Sequence, residues 1–147
     1  MNHRTLKGGL ADGEPDEALY FCYSASLRIF GKNLPFEVIA EHLRVAPTHQ
    51  HRAGQRRSES APEYTNDGWL YQSPLPEAEA LQHHIQAIWS VVKPNIPYLK
   101  ELKQRYEVDV FCGYRTNCDH AGLEVPHDSL EIFSALEVPF SVSVVVI

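Results

Sequence analysis

The sequence predicts an α+β fold: a mixed β-sheet with helices packed mainly on one face, built as two βαβ-like units around a central helical pair, with a ferredoxin-like tendency. Three observations predict it. Segments near both ends alternate apolar and polar side chains with a period of two, as half-buried strands do. Segments between them carry apolar residues at i, i+3, i+4 and i+7, the stripe of a helix lying on a core. Prolines fall where each pattern stops, so they act as breaks between elements.

In "ALYFCYSASLRIFG", Leu19, Phe21, Tyr23, Ala25, Leu27 and Ile29 alternate on one face, opposite Cys22, Ser24, Ser26 and Arg28, and Gly31 closes the strand. "NLPFEVIAEHLRV" follows as a helix with Asn33 or Leu34 at the cap, Pro35 in the first turn, and Phe36, Ile39, Ala40 and Leu43 inward. Pro47 cannot continue it, and "VAPTHQHRA" returns as a short strand. Ser, Glu, Pro, Asn and Asp dominate from Gly54 to Asp67, which reads as an exposed loop. "GWLYQS" is a brief aromatic strand ended by Pro74 and Pro76, and it is expected to leave Trp69 and Tyr71 exposed.

The longest helical signal runs from Pro76 to about Val92, with Leu81, His84, Ile85, Ile88 and Val92 on one side. "KPNIP" divides it: Pro94 removes a helical hydrogen bond, and Asn95 is placed to cap a second helix carrying Leu99, Leu102 and Tyr106. "VDVFCGY" restores the strand pattern, with Val108, Val110, Cys112 and Tyr114 together, before a polar loop or bulge at "RTNCDHAG". "HDSLEIFSALE" reads as a short helix in which Asp128 and Glu131 form a variant capping box. "PFSVSVVVI" is a last strand, with Phe140, Val142, Val144 and Val146 on one face and Ser141 and Ser143 on the other. The two strand–helix–strand units span about 19–52 and 108–147, each crossover long enough to join parallel strands.

The chain has 147 residues, 44% hydrophobic and 22% charged, which suits one globular domain. The expected division is a flexible lead-in at 1–17 and a single α+β domain at 18–147. The lead-in has no apolar centre and no apolar run approaches membrane-spanning length, so no membrane partner is expected and the cytoplasm is the expected location. Three cysteines, an odd number in a chain with an adequate core, point to reduced thiols. A net charge of −6 opposes nucleic-acid binding and suits a partner that is itself basic.

Motifs for catalysis or cofactors are not found. Cys112 and Cys118 with His120, His49 with His51, and adjacent His83 and His84 do not make a zinc-ligand spacing. Cys112 sits on the core face of its strand, Cys118 is beside Asp119, and neither suits an activated thiolate. Glycine loops of the nucleotide-binding kind are missing too, so the reading is of a non-enzymatic protein that needs no cofactor. The most basic stretch is "PTHQHRAGQRR", from Pro47 to Arg57. Its Arg52, Arg56 and Arg57, with Arg28 and Arg115 from the strands, form a candidate anion site, because guanidinium groups present a planar fork to phosphate or carboxylate. The alternative is a solvated loop whose arginines pair with nearby acids such as Glu59 and Glu63.

The order "YFCYSASLRIFG…NLPFEVIAEHLRVAPTHQHRAG", "GWLYQSP", a helical pair, "VDVFCGY", and a helix running into a valine strand resembles a bacterial domain of unknown function, number 4279, over about residues 19–146. Its most specific pieces are "PFEVIAEHL", the turn from Ala46 to Thr48 with Gly54, and Gly68-Trp69. The resemblance assigns no activity. Small domains of this sort sometimes accompany bacterial toxin systems, so what it implies is an antidote-type (immunity) role. The expected function is therefore protein binding, with Arg28, His49, His51, Arg52, Arg56, Arg57, Trp69, Tyr71 and Arg115 as candidate contacts, against an alternative of small-molecule or anion binding through Arg52, Arg56 and Arg57.

Overall fold

A computed structural model describes residues 18–147; the lead-in expected at 1–17 lies outside the described residues. Strand β1 (Phe21–Gly31) is the centre of a five-stranded sheet. Helix α1 (Phe36–Leu43) leads to β2 (His49–His51), and a loop leads on to β3 (Asp67–Gln72). Helices α2 (Leu81–Val92) and α3 (Ile96–Leu102) precede β4 (Glu107–Thr116); α4 (Glu131–Leu136) precedes β5 (Val142–Val146). The strand order is β2-β3-β1-β4-β5, antiparallel except for the parallel β4–β5 pair.

The first four strands, with α1 and the α2–α3 pair as crossovers, have the ferredoxin-like β-α-β-β-α-β arrangement. Helix α4 and strand β5 extend it by one parallel edge strand. The two βαβ units differ: β4 and β5 are neighbours, whereas β3 is inserted between β1 and β2. Antiparallel β3 can join β2 because a loop links them, and β1 then gains hydrogen-bonding neighbours on both sides.

Alternation in β1 decides which side is covered. Ala25, Leu27 and Ile29 are fully buried under the helices. Register places Tyr71 and Trp69 beside Leu27 and Ile29 on one flank, and Cys112, Val110 and Val108 beside Ala25, Leu27 and Ile29 on the other. Helix α2 sets Leu81, His84, Ile85, Ile88 and Val92 onto this layer, and Ile39 and Leu43 of α1 and Ile132 and Leu136 of α4 complete one core. Each such Leu or Ile stabilises the fold by about 1.5–3 kcal/mol relative to exposure.

Helix ends depart from the sequence reading, for local reasons. Helix α1 is capped by neither Asn33 nor Leu34: Asn33 adopts a left-handed φ of 59°, Pro35 is the cap residue, and the Leu34 N–H donates to Asp67 Oδ2 at 3.0 Å. Helix α2 begins at Leu81 rather than Pro76, because Pro76–Glu79 closes a turn and the Glu77 carbonyl accepts from Tyr23 N–H at 2.8 Å. Pro94 lies in a single 3₁₀ turn between α2 and α3, as a two-helix reading requires. Asn95 occupies the α3 cap position but turns its amide back to the Val91 carbonyl at 2.9 Å. The Asp128–Glu131 capping box does not form: residues 127–129 take a 3₁₀ turn and Leu130 becomes the cap of α4. The other end of α4 is held by Lys103, whose ammonium donates to the carbonyls of Leu136 and Glu137, both at 2.8 Å.

Candidate interaction surface

The basic segment is organised by an acid fifteen residues away. Asp67 opens β3 and is buried. Its Oδ1 accepts from Ala53 N–H at 2.8 Å, and its Oδ2 accepts from Leu34 N–H at 3.0 Å and from Arg52 at 2.6 Å. Burial works to raise its pKa, but the two backbone donors and the Arg52 guanidinium outweigh it and hold the carboxyl at about 2. Arg52 also donates to the Leu34 carbonyl at 3.0 Å and lies 3.8 Å from the centre of the Phe36 ring. One guanidinium thus ties the end of β2 to the start of α1 and to β3.

The other arginines are dispersed. Arg56 donates to the Ala61 carbonyl at 2.7 Å and pairs with Glu63 at 3.3 Å within its own loop, and Arg57 is exposed beside it. Arg28 makes a bidentate pair with Asp109 on the neighbouring strand, both contacts 2.8 Å, with Phe30 and Phe111 flanking the guanidinium. Arg115 stands opposite Cys22, six register positions from Asp109, or roughly 20 Å along the strand. The structure therefore brings no set of these arginines to a common point.

His49 and His51 share the sheet face away from the helices. His49 Nε2 lies 3.1 Å from His51 Nδ1, and the His51 ring stacks on Tyr64 of the following loop. Burial lowers the pKa of His51, and the neighbouring His49 lowers it further. The exposure expected of Trp69 is corrected: register opposite Ile29 puts its indole wholly in the core, and Tyr71 is half-buried against the same layer. Among the described residues, no three His, Cys, Asp or Glu side chains are grouped to hold a metal ion. Cys112 is fully buried, which pushes its thiol up to about 12.

A cleft of about 1360 Å³ opens between the start of β1, residues 78–82 and residues 122–126, lined by Leu19, Phe21, Tyr23, Leu81, Leu123 and Val125 among others. Among the described residues on its wall, Glu124 alone is charged, so they offer little to orient a polar ligand.

Unused binding capacity is concentrated at the sheet edge opposite β2 and its Arg52–Arg57 loop, where Arg115 of β4 stands beside Val145 of the edge strand. Among the described residues, strand β5 is an edge strand, paired on one side only. Phe140, Val144, Val145, Val146 and Ile147 make up most of the large exposed apolar residues, Val144 at 56% and Ile147 at 60%. From Val138 to Ile147 there is no charged side chain. The Ile147 N–H donates to the Thr116 carbonyl at 2.9 Å. By strand alternation Ser143 and Val145 also turn their backbone groups to β4, so Val142, Val144 and Val146 present N–H and C=O outward. The opposite edge, β2, is only three residues long and runs into the loop that Arg52 and Tyr64 fasten down. Natural edges are normally shielded by charge, proline, bulges or shortness. Strand β5 has none of these between Val142 and Val146. The sequence reading identified the strand but not this role; the signal available was an uncharged β-branched run lacking a lysine or proline.

The sequence model of the family described as Domain of unknown function (DUF4279) matches residues 21–146, and the chain belongs to that family. No curated protein and no solved structure matches it. No helix among the described residues is long and apolar enough to cross a membrane.

Proposed function

We propose that the chain is a protein-binding domain that takes an extended polypeptide segment as an added strand along β5. The observation that carries this reading is the open β5 edge itself: outward backbone groups on Val142, Val144 and Val146, exposed apolar side chains on both faces, and no charged side chain on the strand, with Arg115 of β4 beside Val145 on one face. Main-chain pairing would supply affinity, and the alternate valines would select apolar side chains on the incoming strand. The chain's net charge of −6 favours basic partners, so an antidote-type role against a basic protein is compatible with the same domain. Three cysteines without a disulfide support a reducing compartment such as the cytoplasm. The anion-site reading draws less support, since Arg28, Arg52 and Arg56 already face carboxylates.

Panning a random nonamer peptide library against the protein tests the proposal. Enrichment of alternating apolar peptides whose binding is lost in Val144→Lys is the expected result. A library that yields no binder dependent on β5 would overturn strand addition.

A further inference from the structure

We infer that the segment seated on β5 is the β5 strand of a second copy of this chain, antiparallel and centred on Val144. The inference rests on the strand-addition reading above and names its partner. An edge strand can pair with its own copy about a two-fold axis only where residues facing themselves do not repel. In a chain of net charge −6 most of the surface is poorly suited to this, but the stretch from Val138 to Ile147 has no charged side chain.

The register follows from the backbone. Only Val142, Val144 and Val146 turn their N–H and C=O to the open side, as the parallel pairing with β4 fixes. An axis through Val144 sets Val144 against its own copy and Val142 against Val146 in both directions, so all three residues on each strand are used, giving about six main-chain hydrogen bonds. An axis through Ser143 or Val145 leaves one of the three without a strand residue opposite. Side chains agree with this choice. Val142, Val144 and Val146 lie on the same side of the sheet and meet the same residues of the copy, covering apolar surface that is now half exposed. Pairing β5 with β2 instead would add copies without closing, and β2 offers only three residues beside a charged loop. The two-fold pairing closes, turning two five-stranded sheets into one continuous sheet of ten strands.

The test uses size-exclusion chromatography with light scattering on the full chain at about 100 µM, where a small strand-edge interface should be populated. The unmodified chain is expected to run as a dimer. Val144→Lys and Val144→Glu should each raise the dimer dissociation constant at least about tenfold, because like charges would meet across the axis, while an equimolar mixture of the two should recover a dimer. Val38→Lys, at an exposed position of α1 away from the edge, should leave the dimer intact. Circular dichroism checks that each variant is folded. If the charged variants fail to fold, Val144→Cys in a Cys118→Ser background should form an intermolecular disulfide on mild oxidation, and Val38→Cys should not. A monomeric unmodified chain, or a Lys/Glu mixture no better associated than either variant alone, overturns the second copy. If peptides from the library still bind at β5 in that case, strand addition stands with another partner; if none bind, both readings fall.

Discussion

The imidazole of His51 lies flat on the phenol ring of Tyr64, centroids 3.5 Å apart and planes 9° from parallel, above Gly68, its cross-strand partner. A Cβ at position 68 would come within 2.5 Å of His51 Cε1, so the stack exists because residue 68 has no side chain. Gly68→Ala is expected to displace the ring and lower stability by about 1–3 kcal/mol, as overpacking does. Urea unfolding measures it. Tyr64→Ala should cost less in the Gly68→Ala background than alone, since both act on one contact. Full additivity of the two would contradict that account.

Acid should weaken the fold in two stages. Burial lowers the pKa of both His51 and His84 from the usual 6.5; for His84 the carbonyls of Pro76 and Glu79 only partly oppose it. The unfolded chain therefore takes up protons first, so the stability these imidazoles contribute is whole above about 6.5 and declines as pH falls toward their folded values. Asp67 acts lower down: held at about 2 against an ordinary 3.8, it contributes stability above about pH 4 that is lost as pH falls toward 2. Melting temperatures across pH 7 to 3 test this. Replacing His84 with Gln should flatten the upper part of the decline, and an unchanged profile would remove His84 as its source.

Asp67 joins three segments, so its removal should do more than break one ion pair. Asp67→Ala leaves the buried N–H of Leu34 and the N–H of Ala53 without their acceptor, and the expected loss is about 2–4 kcal/mol. Asp67→Asn keeps one acceptor oxygen and should cost less. Arg52→Ala should cost less than Asp67→Ala because its side chain is half exposed. The reverse order in denaturant midpoints would show that the guanidinium, and not the carboxylate, organises the node.

Thiol chemistry separates the cysteines. Cys112 is fully buried with its thiol pushed up to about 12, while Cys118 is partly accessible. Under native conditions at neutral pH a thiol-specific disulfide reagent should modify Cys118 and leave Cys112 untouched until denaturant is added. Native labelling of Cys112, read by peptide mass, would place it outside the core.

Period-two patterns in β1 and β4 and the α2 stripe were readable because each reports a local geometry that tertiary packing then preserves. Trp69 was not readable. Alternation in a six-residue strand tells which side chains share a face, but register against Ile29, forty residues earlier in the chain, decides that this face is covered. Arg52 was legible as a basic residue in a polar loop; its binding to Asp67 was not, because the partner is fixed by the β2–β3 pairing. The same holds for β5, whose composition is plain in the sequence while its position at the sheet margin depends on where β4 lies. Caps failed for a different reason. The Leu34 N–H is taken by Asp67 from β3, the Asn95 amide turns back to the Val91 carbonyl, and the Leu130 N–H closes a local turn onto the His127 carbonyl, so no expected side-chain cap forms.

The pairing of β1 with β4 has a consequence for biosynthesis. Phe30 meets Glu107 and Phe21 meets Thr116, so the central strand emerges from the ribosome some 77 to 95 residues ahead of the strand that completes its longer flank. At ordinary elongation rates that is an interval of roughly 4–20 s during which Leu27 and Ile29 are translated but only half enclosed. Chaperone engagement during translation should accordingly peak after β1 is exposed and end once β4 has cleared the exit tunnel.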